Sequence, residues 1–498
     1  MKKKNIISFI FFFVSVIAFC QNKLPKDSLK NPDFIKKIIT YQKSYLFINY
    51  NLNYIEWNDS LAIKSFFEKF LKTDKRKLKI LHIGDSHIQA DLFTGYVRNR
   101  LQEKLGKGGR GFVFPYAAAK THSAYDYTTS SKGKWEFSRN IFSDASFEMG
   151  ICGASIHTKD SSASFKFSFR KGELDTSFKI IKIYLKKSEQ SFNLKLKACN
   201  TELPIELNCN EKNNLPYILI HLAQISDTLK FEINKTDTSQ NFLECYGMLI
   251  ESEKENGILY CSVGINGAGY TSILHEKLLP SQLYEFNPDV VIIDLGANDF
   301  YKGPFNKDLM AKNLLSIIDT IRKFSQEPLI IITNSQDIYR RRLNIAACKD
   351  FSELTRNIAM QKKCAFYDYY NVSGGRYSMR KWLSNKLAKK DKVHLTTEGY
   401  CVKGELFVNA ILNSYYFYLT GNRIKTDTLI MPQQKAESEK NKTKKNINNS
   451  GQHLTHVVSQ GETLSEIALK NHVTVKQIMK LNNLKSDKIK PKMVLIIK

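Results

Sequence analysis

Leu78-Lys79-Ile80-Leu81-His82-Ile83-Gly84-Asp85-Ser86-His87 is a short apolar run that stops at a glycine and passes into small and polar residues. Bulky apolar residues bounded by a turn signal, with a helical pattern following over 92–105, predict a buried strand feeding a helix. Four later runs, 258–263, 290–295, Leu329–Thr333 and 365–369, have the same character, and amphipathic segments follow at 309–324 and 399–419. Apolar strands alternating with helices predict an α/β fold with a parallel sheet covered on both faces.

Between the first of these runs with its helix and the second lie about 150 residues of different character, whereas structureless loops beyond about 15 residues are uncommon. This stretch alternates with period two: Phe165, Phe167 and Phe169, then Ile181, Ile183 and Leu185, then Leu194 and Leu196, then Phe231 and Ile233. Such alternation predicts antiparallel strands with one wet face, hence an inserted β-sandwich. Upstream, Leu61, Phe66, Phe67, Phe70 and Leu71 predict a lead-in helix packed on the next domain. Beyond Leu419 the chain turns polar and reads as a linker, before a compact unit with a strand at each end and two helical patterns between them. The expected divisions are 1–20 as a secretory signal, 21–76 as the lead-in, 77–115 with 255–420 as a discontinuous α/β domain, 116–254 as the insert, 421–454 as a basic linker and 455–498 as the terminal unit. A chain of 498 residues exceeds what one core supports, in keeping with several domains.

Lys2, Lys3 and Lys4 precede an apolar run that is short for a bilayer span, and Gln21 starts a polar stretch, which together predict export. Cleavage after Cys20, lipidation of Cys20 and an uncleaved anchor all stay open, so membrane attachment is expected only in the last two cases. Cys199 and Cys209 could close a hairpin, and most other cysteines are expected as buried free thiols. No CxxC pair or metal-ligand spacing occurs, so neither metal nor cofactor is expected. Seventy-five Lys and Arg against 48 acidic residues give a formal charge of +27, which favours anionic partners such as phospholipid surfaces, nucleic acid or acidic envelope polymers. Much of that charge lies in the tail and linker. Export and the lack of a nucleic-acid module argue against nucleic acid.

Ser86 stands where a parallel strand gives way to a helix, the end of the sheet at which such folds place their ligands. A turn serine capping the helix is the plainer reading. As a nucleophile a serine needs a base and an orienting acid. Asp391-Lys392-Val393-His394 offers both within one loop; His82 reads as a strand residue, and His87 has no evident carboxylate partner. An oxyanion needs donors, and Gly267, in Ile265-Asn266-Gly267-Ala268-Gly269, and Asn298, in Gly296-Ala297-Asn298-Asp299, each follow a strand. Gly264 is an alternative register for the glycine. Singly, each is also ordinary turn chemistry.

Taken together, GDS after the first strand, Gly after the second, GxND after the third and DxxH before the last helix resemble the SGNH (GDSL) hydrolases. The resemblance covers the α/β portion and implies a flavodoxin-like three-layer α/β/α fold. It further implies a triad of Ser86, Asp391 and His394, and an oxyanion hole from the Ser86 N–H, Gly267 and Asn298.

The terminal unit, Val457-Val458-Ser459-Gln460-Gly461-Glu462-Thr463-Leu464 through Ile489-Lys490-Pro491, resembles a LysM domain. These are βααβ modules that bind N-acetylglucosamine-containing glycans, and the resemblance assigns glycan contacts to Gly461, Glu462, Thr463 and Leu464 in one loop and to Ile489, Lys490 and Pro491 in the other. Glu462 and Lys492 depart from the usual Asp and Gly. An insert between the Ser and Gly motifs, with 108–115 and Gly133-Lys134-Trp135, is similar to the SGNH peptidoglycan O-acetylesterases, whose insert is a carbohydrate-binding-module-like sandwich. The resemblance implies a periplasmic or envelope-associated esterase that removes acetyl from the 6-hydroxyl of N-acetylmuramic acid in peptidoglycan. An esterase on another acylated polysaccharide or lipid, and an inactive wall-binding scaffold, are the alternatives.

Overall fold

A computed structural model of the chain describes residues 26–424, apart from 199–202, 211, 212 and 214, and residues 455–497, apart from 461, 472, 485 and 488. The expected signal segment, Cys20, Cys199 and most of the linker lie outside the described residues.

One 11-stranded sheet organises the larger part. Its main path runs Tyr217–His221, Ile180–Leu185, Leu243–Glu251, Lys107–Val113, Gly257–Gly264, Lys77–Gly84, Val290–Asp294, Leu329–Thr333, Ala365–Tyr367. From Lys107–Val113 onward every pairing is parallel. Numbered by chain order, the five apolar strands read in the sequence lie as 2-1-3-4-5, the flavodoxin-like arrangement.

Side chains alternate across this sheet. Leu81, Ile83, Val291 and Ile293 join the core formed with helices Leu279–Phe286, Lys307–Phe324 and Ala347–Gln361. Leu78, Ile80, Val290 and Ile292 join that of Ser60–Leu71, Leu92–Leu105 and Thr397–Thr420. Both faces are covered, and for this reason the strands are apolar throughout. The lead-in helix Ser60–Leu71 begins where the Asp59 side chain accepts from the N–H groups of Leu61 and Ala62. It buries Phe66, Phe67 and Phe70, with Phe67 and Phe70 against Tyr415 of the closing helix. At about 2 kcal/mol for each buried ring, this helix is part of the core.

The insert is built differently from a sandwich standing apart. Five strands form a sheet of their own, Tyr127–Lys132, Ser164–Phe169, Thr228–Asn234, Asn193–Lys197 and Ile205–Leu207 in spatial order. The opposing layer is hydrogen-bonded into the main sheet, because Lys107–Val113 pairs parallel with Gly257–Gly264 on one edge and antiparallel with Leu243–Glu251 on the other. The pairing changes sense across this glycine-rich strand, and its register shifts on both edges. A buried ion cluster braces the junction: Arg110 donates to Asp91 and Asp126, and Arg98 donates to Asp91.

In the terminal unit, Thr455–Val457 pairs antiparallel with Val494–Ile496, and helices Leu464–Lys470 and Val475–Leu481 lie between them, a βααβ order. Among the described residues Cys152, Cys209, Cys245, Cys261, Cys348 and Cys364, all buried, and the half-buried Cys401 carry free thiols.

Candidate active site

Ser86 opens the short helix Ser86–Gln89 at the carboxyl end of the first strand, with Asp85 as its cap: the Asp85 carboxyl accepts from the N–H of His87. As the first helical residue, Ser86 has an N–H with no intrahelical acceptor. Its Oγ lies 3.0 Å from His394 Nε2, and His394 Nδ1 lies 2.8 Å from Asp391 Oδ2. A carboxylate only accepts, so Nδ1 carries the proton and the lone pair of Nε2 faces the serine.

The loop before the closing helix makes this alignment local. Asp391 Oδ1 accepts from the backbone N–H groups of Val393 and His394, at 2.9 and 3.0 Å, so one carboxyl group shapes the turn and aims the ring. Partial burial works against its charge, but those N–H groups and the imidazole prevail and hold the Asp391 carboxyl below its ordinary range.

Both remaining stations line the same cleft of about 560 Å³. Gly267 has φ +86°, a left-handed conformation that L side chains rarely adopt, and its N–H makes no hydrogen bond among the described residues. The alternative glycine, Gly264, sits below the cleft opposite Gly84, where a Cβ would come within 2.6 Å of the Asp85 carbonyl. Asn298 faces the cleft, yet its amide donates to Asp85 Oδ2 at 3.1 Å and to the Ala268 carbonyl at 2.9 Å. Donating to a ligand requires Asn298 to exchange one of these. Burial, reinforced by the charge of Asp294, pushes Asp85 up to about 7.

His87 is not equivalent to His394. Its Nδ1 is 2.8 Å from the Tyr400 hydroxyl and its Nε2 is 3.4 Å from the Gln336 amide, so both ring nitrogens are engaged. Burial, with Lys403 and His394 nearby, lowers its pKa well below the ordinary value. His82 lies inside the first strand beneath the site, 2.7 Å from the Tyr260 hydroxyl.

Gln89 escaped the sequence reading. Its Oε1 accepts from the N–H of Asn266, the residue before Gly267, at 2.6 Å, while its Nε2 donates to Thr121 Oγ1 and to the His122 carbonyl. One side chain thus ties the Ser86 helix, the Gly267 loop and the insert together. The available signal was its spacing three residues after Ser86 on a helical turn, which puts it on the same face. His122 and Ser123 from the insert, and Tyr301 and Lys389 from the α/β part, also line the cleft. No local pattern marks these residues. Among the described residues no group of three His, Cys, Asp or Glu is placed to hold a metal ion.

In the terminal unit Gly461 lies outside the described residues. Glu462 accepts from His456 and from the Ser459 N–H, and Thr463, Lys490 and Pro491 are exposed, with Ile489 half-buried. Leu464, expected as a sugar contact, is 1% exposed and packs with Ile467, Ile478 and Leu495, so its side chain belongs to the core and is out of a ligand's reach.

Residues 248–402 match the GDSL-like lipase/acylhydrolase family model and residues 456–498 match the LysM domain model. The chain carries an SGNH/GDSL-type esterase fold with a C-terminal LysM domain. Among solved structures it resembles a peptidoglycan O-acetylesterase, at 20% identity over 72% of this chain and 97% of that one, with a TM-score of 0.60. Fainter likenesses are to a family two carbohydrate esterase from Clostridium thermocellum and an acetylxylan esterase from Geobacillus stearothermophilus. The first has 11% identity, covering 56% of this chain and 98% of that one, with a TM-score of 0.25. The second has 20% identity, covering 32% and 74%, with a TM-score of 0.26. No curated protein matches the chain.

Proposed function

We propose that the protein is an exported serine esterase that removes O-acetyl groups from wall glycan, most specifically from the 6-hydroxyl of N-acetylmuramic acid in peptidoglycan. The observation that carries this reading is the hydrogen-bonded series Ser86–His394–Asp391 at the floor of an open cleft, beside two backbone N–H groups, of Ser86 and Gly267, that make no hydrogen bond among the described residues.

Ser86 Oγ attacks the acetyl carbonyl as His394 Nε2 takes its proton, and Asp391 stabilises the imidazolium. Negative charge that develops on the carbonyl oxygen is met by the N–H groups of Ser86 and Gly267 and by the Asn298 amide, which gives up Asp85 or the Ala268 carbonyl to reach it. Each such donor lowers the barrier by about 3 kcal/mol. His394 then protonates the sugar oxygen, which leaves. Water, deprotonated by the same imidazole, attacks the acetyl-serine and frees acetate.

The LysM unit supports a glycan substrate, since tethering to the polymer raises the local concentration of its esters. The likeness to a peptidoglycan O-acetylesterase supports peptidoglycan over other acylated polymers. The test is acetate release by purified protein from O-acetylated peptidoglycan, from the same polymer after chemical de-acetylation and from acetylated xylan. Release confined to the first is expected. Release from xylan alone, or from none, refutes the reading.

A further inference from the structure

The formal charge of the chain is not confined to its tail. Residues 338–345 carry three arginines and no acid, and residues 374–392 carry seven Lys and Arg against one acid, Asp391. Among the described residues, the one ion pair made by these two segments is that of Asp391 with His394. No Lys or Arg of the two segments makes an ion pair among the described residues, although Arg376 lies near enough to Asp337 to favour its charged form.

The two segments form one surface. The hairpin of Tyr339–Arg340 and Leu343–Asn344 adjoins the His394 loop, with the Tyr339 N–H donating to the Lys392 carbonyl at 3.1 Å. The guanidinium of Arg380 and the ammonium of Lys392 lie over the Tyr339 ring, at 5.4 and 5.3 Å from its centre. Arg340 donates to the Lys302 carbonyl at 2.9 Å, one residue from Tyr301 in the cleft wall, and Lys389 is itself a lining residue. Arg341 and Arg342 project at the hairpin turn, exposed. A rim of cations therefore starts at the cleft and rises beside the imidazole.

We infer that this rim binds carboxylates carried by the glycan strand whose ester lies over Ser86, so that the substrate is an acidic, carboxylate-bearing glycan. The inference rests on the esterase reading above. Continuity selects the occupant: a rim that begins in the cleft wall meets groups covalently joined to whatever fills the cleft. Cations held at fixed positions by an aromatic ring and a main-chain carbonyl lose little freedom on binding an anion, and guanidinium groups match carboxylates two bonds at a time.

The experiment measures acetate release by the full chain from soluble O-acetylated peptidoglycan fragments, with their peptide carboxylates either intact or converted to amides. It is run at about 0.02 M and about 0.5 M salt, where screening changes most. At low salt the intact polymer is expected to show a KM about tenfold below that of the amidated one, and the two converge at high salt. In the Arg341→Glu/Arg342→Glu protein the advantage of the intact polymer is lost or reversed. Equal KM values for the two polymers at low salt overturn the rim proposal while leaving the esterase reading in place. Binding to phosphatidylglycerol vesicles that the double substitution abolishes, with the polymer preference untouched, assigns the rim to a membrane and overturns it too. No acetate from either polymer overturns the esterase reading and the rim with it.

Discussion

Serine hydroxyls are weak nucleophiles, so at the scale of single residues the rate depends on who takes the proton and who holds the base. Ser86→Ala is expected to cut acetate release by at least about 10⁴-fold, and Asp391→Asn by about 10³–10⁴-fold in kcat, because an amide cannot both accept from Nδ1–H and stabilise the imidazolium. Circular dichroism unchanged from the parent separates these losses from misfolding. In the proposed reaction Gln89 acts as a positioning residue. Removing its acceptor frees the Asn266 peptide and with it the direction of the Gly267 N–H. Gln89→Ala should lower kcat by about tenfold with KM nearly constant, since the oxyanion is a feature of the transition state alone. A rise in KM with kcat intact contradicts that assignment. Ser86, Asp391 and His394 were legible as candidates from residue type and spacing. Gln89 was not, because its partners at Thr121, His122 and Asn266 are remote in the chain.

Among the elements, the closing helix Thr397–Thr420 does most to join distant parts. Lys403 on this helix donates to Asp294 at 3.0 Å, and its ammonium lies over the Phe93 and Tyr369 rings. Glu405, two residues on, accepts from the Gln42 N–H in the lead-in segment at 2.9 Å. Burial pushes Glu405 up to about 7, so the folded state holds its proton more tightly than the unfolded chain does. The sign follows from linkage: folding is favoured by this group below the unfolded carboxyl pKa, and the advantage is lost as pH rises to about 7. Glu405→Gln keeps the acceptor and removes the charge. It should therefore stabilise the protein at pH about 8, by on the order of 3 kcal/mol, and have little effect at pH about 4. Thermal unfolding at both pH values checks this, and equal shifts at the two count against it. The strands and this helix could be read from periodicity to within a few residues. Buried charges on the helix could not, because periodicity reports which face is inward and not what waits there.

For the whole molecule, the proposed function couples a reaction centre and a glycan-binding module on one insoluble polymer. A chain ending at residue 424 should hydrolyse soluble 4-nitrophenyl acetate at the parent rate but release acetate from intact wall sacculi about 10–100-fold more slowly at low enzyme concentration, as expected when tethering is removed. Equal rates on sacculi would remove the module from the proposal. The insert raises a different question of scale. Its strands were legible as an antiparallel pattern, but its continuity with the main sheet was not, since pairing partners are chosen across more than 100 residues by which edges the folded sheet leaves open.

Local order in the chain determined the classes of element and their succession: apolar strands of the parallel kind, alternating strands of the insert, and motif residues at strand ends. These follow from side-chain periodicity and turn chemistry, which act over a few residues and need no knowledge of the rest. Only tertiary structure decided that Gly267 and not Gly264 lines the cleft, that Leu464 is core, that Asn298 already has two acceptors, and that basic segments with 28 residues between them share one rim beside His394. Those are matters of distance between parts far apart in sequence, set by how the sheet twists and packs.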